Sequence, residues 1–121
     1  MSSEFVDVLV CTTCRAANLR PVPDDAQRPG AVLARALRDN APEGLRVMEV
    51  DCLSNCSRGC TVALRKPGAW TYVYGNLDPD MHVATVIAGA DKYRDAEQGL
   101  VPWRERPEHF RKNCIARIPP L

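Results

Sequence analysis

Five of the six cysteines fall in two short segments, Cys11-Thr12-Thr13-Cys14 and Cys52-Leu53-Ser54-Asn55-Cys56-Ser57-Arg58-Gly59-Cys60. Thiolates ligate zinc and iron–sulfur clusters and act as nucleophiles in thiol–disulfide exchange, so closely spaced cysteines are the strongest chemical signal in the chain. Each segment directly follows a run that reads as a strand, residues 5–10 (FVDVLV) and 45–50 (LRVMEV). Parallel neighbouring strands have their C-terminal ends side by side, which would bring Cys11 and Cys14 close to Cys52 and Cys56. Two short loops then supply four thiolates to one compact site at little cost in loop entropy. Cys11, Cys14, Cys52 and Cys56 are the expected ligands, with Cys60 as the substitute, four residues beyond Cys56. Gly59 and the small polar residues Thr12, Thr13, Ser54, Asn55 and Ser57 leave backbone amides able to approach the sulfurs, and the same residues are also ordinary turn formers.

The elements that must position these cysteines follow from the pattern around them. The first run is apolar enough to be buried on both faces, which suggests an interior, parallel strand. Residues 15–30 carry Pro21, Pro23 and Pro29 and read as an irregular connection. Pro29 opens a helix whose Val32, Leu33, Ala36 and Leu37 share a face, and Pro42 with Gly44 ends it. After the second strand, residues 61–64 and 70–74 read as an antiparallel hairpin joined by Lys66-Pro67-Gly68 and closed by Gly75-Asn76. Asp78 reads as an N-cap with Pro79 at the first helical position, opening a helix that runs to about residue 95 with Val83, Val86, Ile87 and Ala90 inward.

The expected domain occupies residues 1–97. Residues 98–121 form a tail with Pro102, Pro107, Pro119 and Pro120 and with five basic and two acidic residues from 104 onward. That tail is expected to hold little regular structure and to pack on the domain or bind a partner.

Composition bounds the rest. At 121 residues and a formal charge of +1 the chain is one domain with no electrostatic footprint for nucleic acid or an anionic membrane. Its apolar runs are far below membrane-spanning length, and its N-terminus lacks the features of a signal peptide. A cytoplasmic protein is expected, and in a reducing compartment clustered cysteines mean metal, cluster or redox chemistry rather than structural disulfides. Cys114, His82 and His109 stand apart and read as incidental surface or helix-end residues. Trp70, Tyr72, Tyr74 and Trp103 read as packing residues. No Ser-His-Asp set, phosphate loop or paired carboxylates are visible, so no catalytic machinery is expected.

The order strand, helix, strand, hairpin, helix is that of an α/β, thioredoxin-like domain with a mixed four-stranded sheet and flanking helices. The cysteine segments then resemble those of the thioredoxin-like 2Fe-2S ferredoxins: Cys52-x3-Cys56 followed by x-x-Gly59 and a strand is that family's second ligand pair. Cys11-x-x-Cys14 is spaced more tightly than its first pair, and Cys60 stands where the family usually has proline. CTTCR, CLSNCSRGCTVAL, the Trp70-Thr-Tyr run and the tail from Val101-Pro-Trp to Arg117-Ile-Pro-Pro also resemble a bacterial family of small metal-binding proteins of unknown function. Members of that family are sometimes associated with cobalamin biosynthesis.

The resemblance implies a 2Fe-2S electron carrier or accessory metal protein with a redox partner protein, and leaves a homodimer open. Zinc bound by the same four thiolates would instead give an interaction module. Cys11-x-x-Cys14 after a first strand also allows a thiol–disulfide oxidoreductase, although the stretch from Arg15 to Arg28 separates Cys14 from the helix at Pro29 in sequence.

Overall fold

The computed structural model describes residues 5–12, 29–51, 53 and 59–120. Strand β1 (Val6–Cys11) is buried on both sides, as its run of β-branched residues requires. It pairs in parallel with β2 (Leu45–Val50), in register from Val6 against Leu45 to Cys11 against Val50. On its other side it pairs antiparallel with β3 (Cys60–Arg65), which continues antiparallel to β4 (Thr71–Leu77). Helix α1 (Pro29–Asn40) makes the crossover from β1 to β2, and α2 (Val83–Asp95) follows β4. Leu37 of α1 and Val86, Ile87 and Ala90 of α2 converge on Val8, Leu45 and Val47, so both helices cover the same face of the sheet.

On the opposite face the register sets Met48, Leu9, Ala63, Val73 and Ala116 in one apolar row across all five strands. Beside that row Asp7 lies between two guanidinium groups, 2.8 Å from Arg46 and 3.3 Å from Arg65.

The tail departs from expectation. Residues 97–118 hold two 3-10 turns (Glu97–Gly99 and Trp103–Glu105), a short helix α3 (Glu108–Lys112) and a fifth strand β5 (Cys114–Ile118), giving the sheet order β2-β1-β3-β4-β5. The four-stranded sheet inferred from sequence is therefore one strand short. The strand forms because β4 offers an open edge, and because Phe110 of α3 stacks on Tyr74 at 3.8 Å between ring centres and locks the tail onto the core. Gly89 of α2 makes room for that ring: a Cβ there would stand 2.1 Å from Phe110 Cε2.

Two boundaries also move. Asp78 does not cap α2; its carboxylate accepts the Asp80 amide at 2.8 Å in a local turn, and the helix begins at Val83 with His82 before it. Gly75-Asn76 does not close the hairpin but forms a bulge within β4, where two residues face one on β3, and Asn76 takes φ 55°. Tyr72 and Tyr74 are core residues, whereas Trp103 is 61% exposed, with the Arg111 guanidinium 5.2 Å from its ring centre.

Candidate metal centre

Cys11 is the last residue of β1 and is 1% exposed. Its Cα partner is Val50, the last residue of β2. The Thr12 amide and hydroxyl both donate to the Val50 carbonyl, at 2.9 and 3.1 Å, and tie the two strand ends together beyond the ladder. The Cys11 thiol reaches the Asp51 carbonyl at 3.7 Å. Asp51 is the residue before Cys52, so the two cysteine-bearing segments meet through these contacts.

Two glycines close in on the same end of the sheet. A Cβ on Gly30 would stand 2.0 Å from the Cys11 carbonyl oxygen, so the first turn of α1 lies directly on the Cys11-Thr12 backbone. The start of α1 therefore meets the end of β1, although 16 residues of sequence lie between Thr12 and Pro29. Gly59, with φ +72°, packs on the β4 bulge, where its Cβ would stand 2.9 Å from Asn76 Cα. Cys60 follows it, fully buried. Strand alternation sets Cys60 on the side of Val62 and Leu64, and Cys11 on the side of Leu9, so the two thiols leave the sheet on opposite faces.

Cys14, Cys52 and Cys56 lie outside the described residues. Among the described residues, no three His, Cys, Asp or Glu side chains gather as a metal site. The residues present still suit a thiolate-ligated group. A buried cysteine stands at adjoining strand ends, the first turn of α1 packs on its backbone, and glycines let backbone approach closely. Cys114 stands apart in β5 and is exposed; burial of its sulfur raises the thiol pKa.

The histidines behave differently from their sequence reading. His82 and His109, 27 positions apart, lie against each other with ring centres 4.1 Å apart and planes tilted by 40°. His82 Nδ1 accepts the Asp78 amide at 2.8 Å, and His109 Nε2 lies 3.0 Å from the Gly75 carbonyl, to which it donates. Loss of solvent around His82, helped by the neighbouring His109, lowers its pKa below the ordinary 6.5, against the pull of Asp78. No local pattern announces this pair, because it exists only once the tail has folded back.

A central β1 flanked by a parallel β2 and an antiparallel β3–β4 hairpin, with helices after β1 and β4, defines a thioredoxin-like fold. A solved thioredoxin-like [2Fe-2S] ferredoxin from Aquifex aeolicus has the same fold: it superposes with a TM-score of 0.57 over 94% of this chain and 93% of that one, at 19% sequence identity. Residues 8–120 match the family described as a protein of unknown function, DUF1636, and the chain belongs to that family. No curated protein matches it. No described helix is long and apolar enough to cross a membrane.

Proposed function

We propose that this chain is a cytoplasmic 2Fe-2S protein that carries electrons to a partner protein or serves as an accessory metal protein, with cobalamin-related metabolism as its setting. Cys11, Cys14, Cys52 and Cys56 would hold the cluster. The observation that carries the reading is the 3.7 Å approach of the Cys11 thiol to the Asp51 carbonyl, which joins the first cysteine segment to the residue before Cys52. The fold shared with a ferredoxin and the packing of the first turn of α1 on the Cys11 backbone are consistent with it. When bound, such a cluster supplies a one-electron couple. With all four thiolates engaged, no ligand position is left for a substrate, so electron transfer rather than catalysis is expected. Cys14 is the proposed fourth ligand, with Cys60, whose thiol leaves the sheet on the face opposite to that of Cys11, as the alternative.

Anaerobically purified protein should be coloured, with broad visible absorption and stoichiometric iron and sulfide. Colourless protein carrying one zinc per chain would replace the proposal with a zinc-bound interaction module using the same thiolates.

One observation favours a second reading. The α1 N-terminus that sequence distance separated from the cysteines packs on the backbone of Cys11, so a Cys-x-x-Cys segment stands next to a helix start, as in thiol–disulfide enzymes. Rapid reduction of an insulin-type disulfide by the metal-loaded protein, lost on replacing Cys11 or Cys14, would establish that activity instead.

A further inference from the structure

His82 and His109 sit where three elements meet. His82 precedes α2, His109 lies in α3, and the Gly75 carbonyl that receives His109 belongs to the β4 bulge. Around them the tail is pinned by a closed set of hydrogen bonds. The Gly75 amide donates to the Asn113 carbonyl at 3.0 Å, the Asn76 amide group to Asn113 Oδ1 at 2.7 Å, and the Asn113 amide group to the His109 carbonyl at 3.0 Å. The backbone thus fixes the tautomers: His82 must keep Nδ1 bare to accept the Asp78 amide, and His109 must carry its proton on Nε2.

Both bonds hold while His82 is neutral. A proton on its Nδ1 would face the Asp78 N–H, donor against donor, and would set a cation within 4.1 Å of the second ring. The other charged groups facing the pair are few. The turn before α2 brings Asp78, and α3 brings Glu108 and Lys112, which neutralise each other at 2.9 Å. β4 brings only the Gly75 carbonyl, and Thr85, Pro107 and Asn113, which line the 350 Å³ cavity beside the rings, are not ionisable.

We propose that the His82–His109 pair is a pH-sensitive latch that fastens the α3–β5 tail to α2 and to the β4 bulge, and that protonation opens it. The latch does not depend on what the cysteines bind. It holds above the ordinary histidine pKa and is lost as pH falls below it, because the folded chain disfavours the proton that the unfolded chain accepts. Release would free the tail at the bulge on which Gly59 rests.

The test uses the full-length protein as purified. Its thermal midpoint is measured at about pH 7.5 and about pH 5.5, and its histidine rings and the Gly75 and Asn113 amides are titrated by NMR over the same range. The expected result is a midpoint that drops on acidification, with the two amide signals moving on the same curve as the His82 ring. In the H82N/H109Q double variant the side-chain amides keep the acceptor for Asp78 and the donor for Gly75 but cannot titrate, and most of the drop should vanish. A drop of full size in that variant overturns the latch. So does a His82 ring that titrates while the Gly75 and Asn113 amides stay still, a reading that the unsubstituted protein gives even if the variant fails to fold.

Discussion

At Gly30 one methyl group decides whether the first turn of α1 can lie on Cys11. Its Cβ would fall 2.0 Å from a backbone oxygen that cannot move without pulling β1 out of register. Gly30→Ala should therefore cost about 1–3 kcal/mol as an overpacking change and, on the proposed cluster reading, should lower metal content along with stability. Gly68→Ala, where nothing lies within 4 Å, should lower only the stability, through its left-handed φ of 71°. Denaturant melts and metal content measured on both variants separate the two effects. On the proposed cluster reading, serine at 11, 14, 52 or 56 should abolish the visible spectrum, and Cys114→Ser should leave it intact. Cys60 is better tested as alanine, since a hydroxyl at that fully buried position would disturb the core for reasons unrelated to metal. A spectrum lost in Cys60→Ala but kept in Cys14→Ser would exchange their roles.

Between elements the decisive contacts are single side chains that reach across. Lys66, in the turn between β3 and β4, is buried, and its ammonium donates to the Arg94 and Ala96 carbonyls at the C-terminal end of α2, at 2.9 and 3.2 Å. Lys66→Met keeps the stem but leaves those carbonyls without their charged donor, and should cost about 1–3 kcal/mol in urea unfolding. Gly89 inverts an ordinary rule. Alanine within a helix usually stabilises by about 1 kcal/mol over glycine, yet here it meets the Phe110 ring and should destabilise. Phe110→Ala alone should cost about 3–5 kcal/mol, and the Gly89→Ala penalty should shrink in its background, because the two positions share one space.

These contacts also explain what the sequence could and could not reveal. The runs at residues 5–10 and 45–50 and the cysteines that end them are local patterns, and the parallel pairing of β1 with β2 follows from the helix between them. The strand Cys-Ile-Ala-Arg-Ile at 114–118 carries no such pattern. It is mostly exposed, prolines surround it, and it forms because Phe110 docks and β4 has a free edge. The early start expected for α2 fails for a related reason: Asp78 spends its carboxylate on Asp80, and His82 supplies the next constraint.

For the molecule as a whole the sheet has two edges, and they are finished differently. β2 shows Arg46 and Glu49 to solvent, while β5 runs into Pro119 and Pro120, which cannot continue a ladder. On the face opposite the helices Asp7 holds Arg46 and Arg65 on the strands to either side. Asp7→Asn should cost only about 1 kcal/mol, since both guanidinium groups are half in water, and that cost should fall further in high salt.

β5 follows every other strand in sequence and lies at the edge of the sheet, joined to β4 alone. Every residue proposed for the cysteine site precedes residue 61, and the contacts of Cys11 and Thr12 described above come from α1 and from the end of β2, not from the tail. The tail should be the first part to leave. In native-state hydrogen exchange the β5 amides should open at a lower free energy than those of β1 and β3, and exchange of all three strands in one cooperative step would show instead that the tail belongs to the folding core.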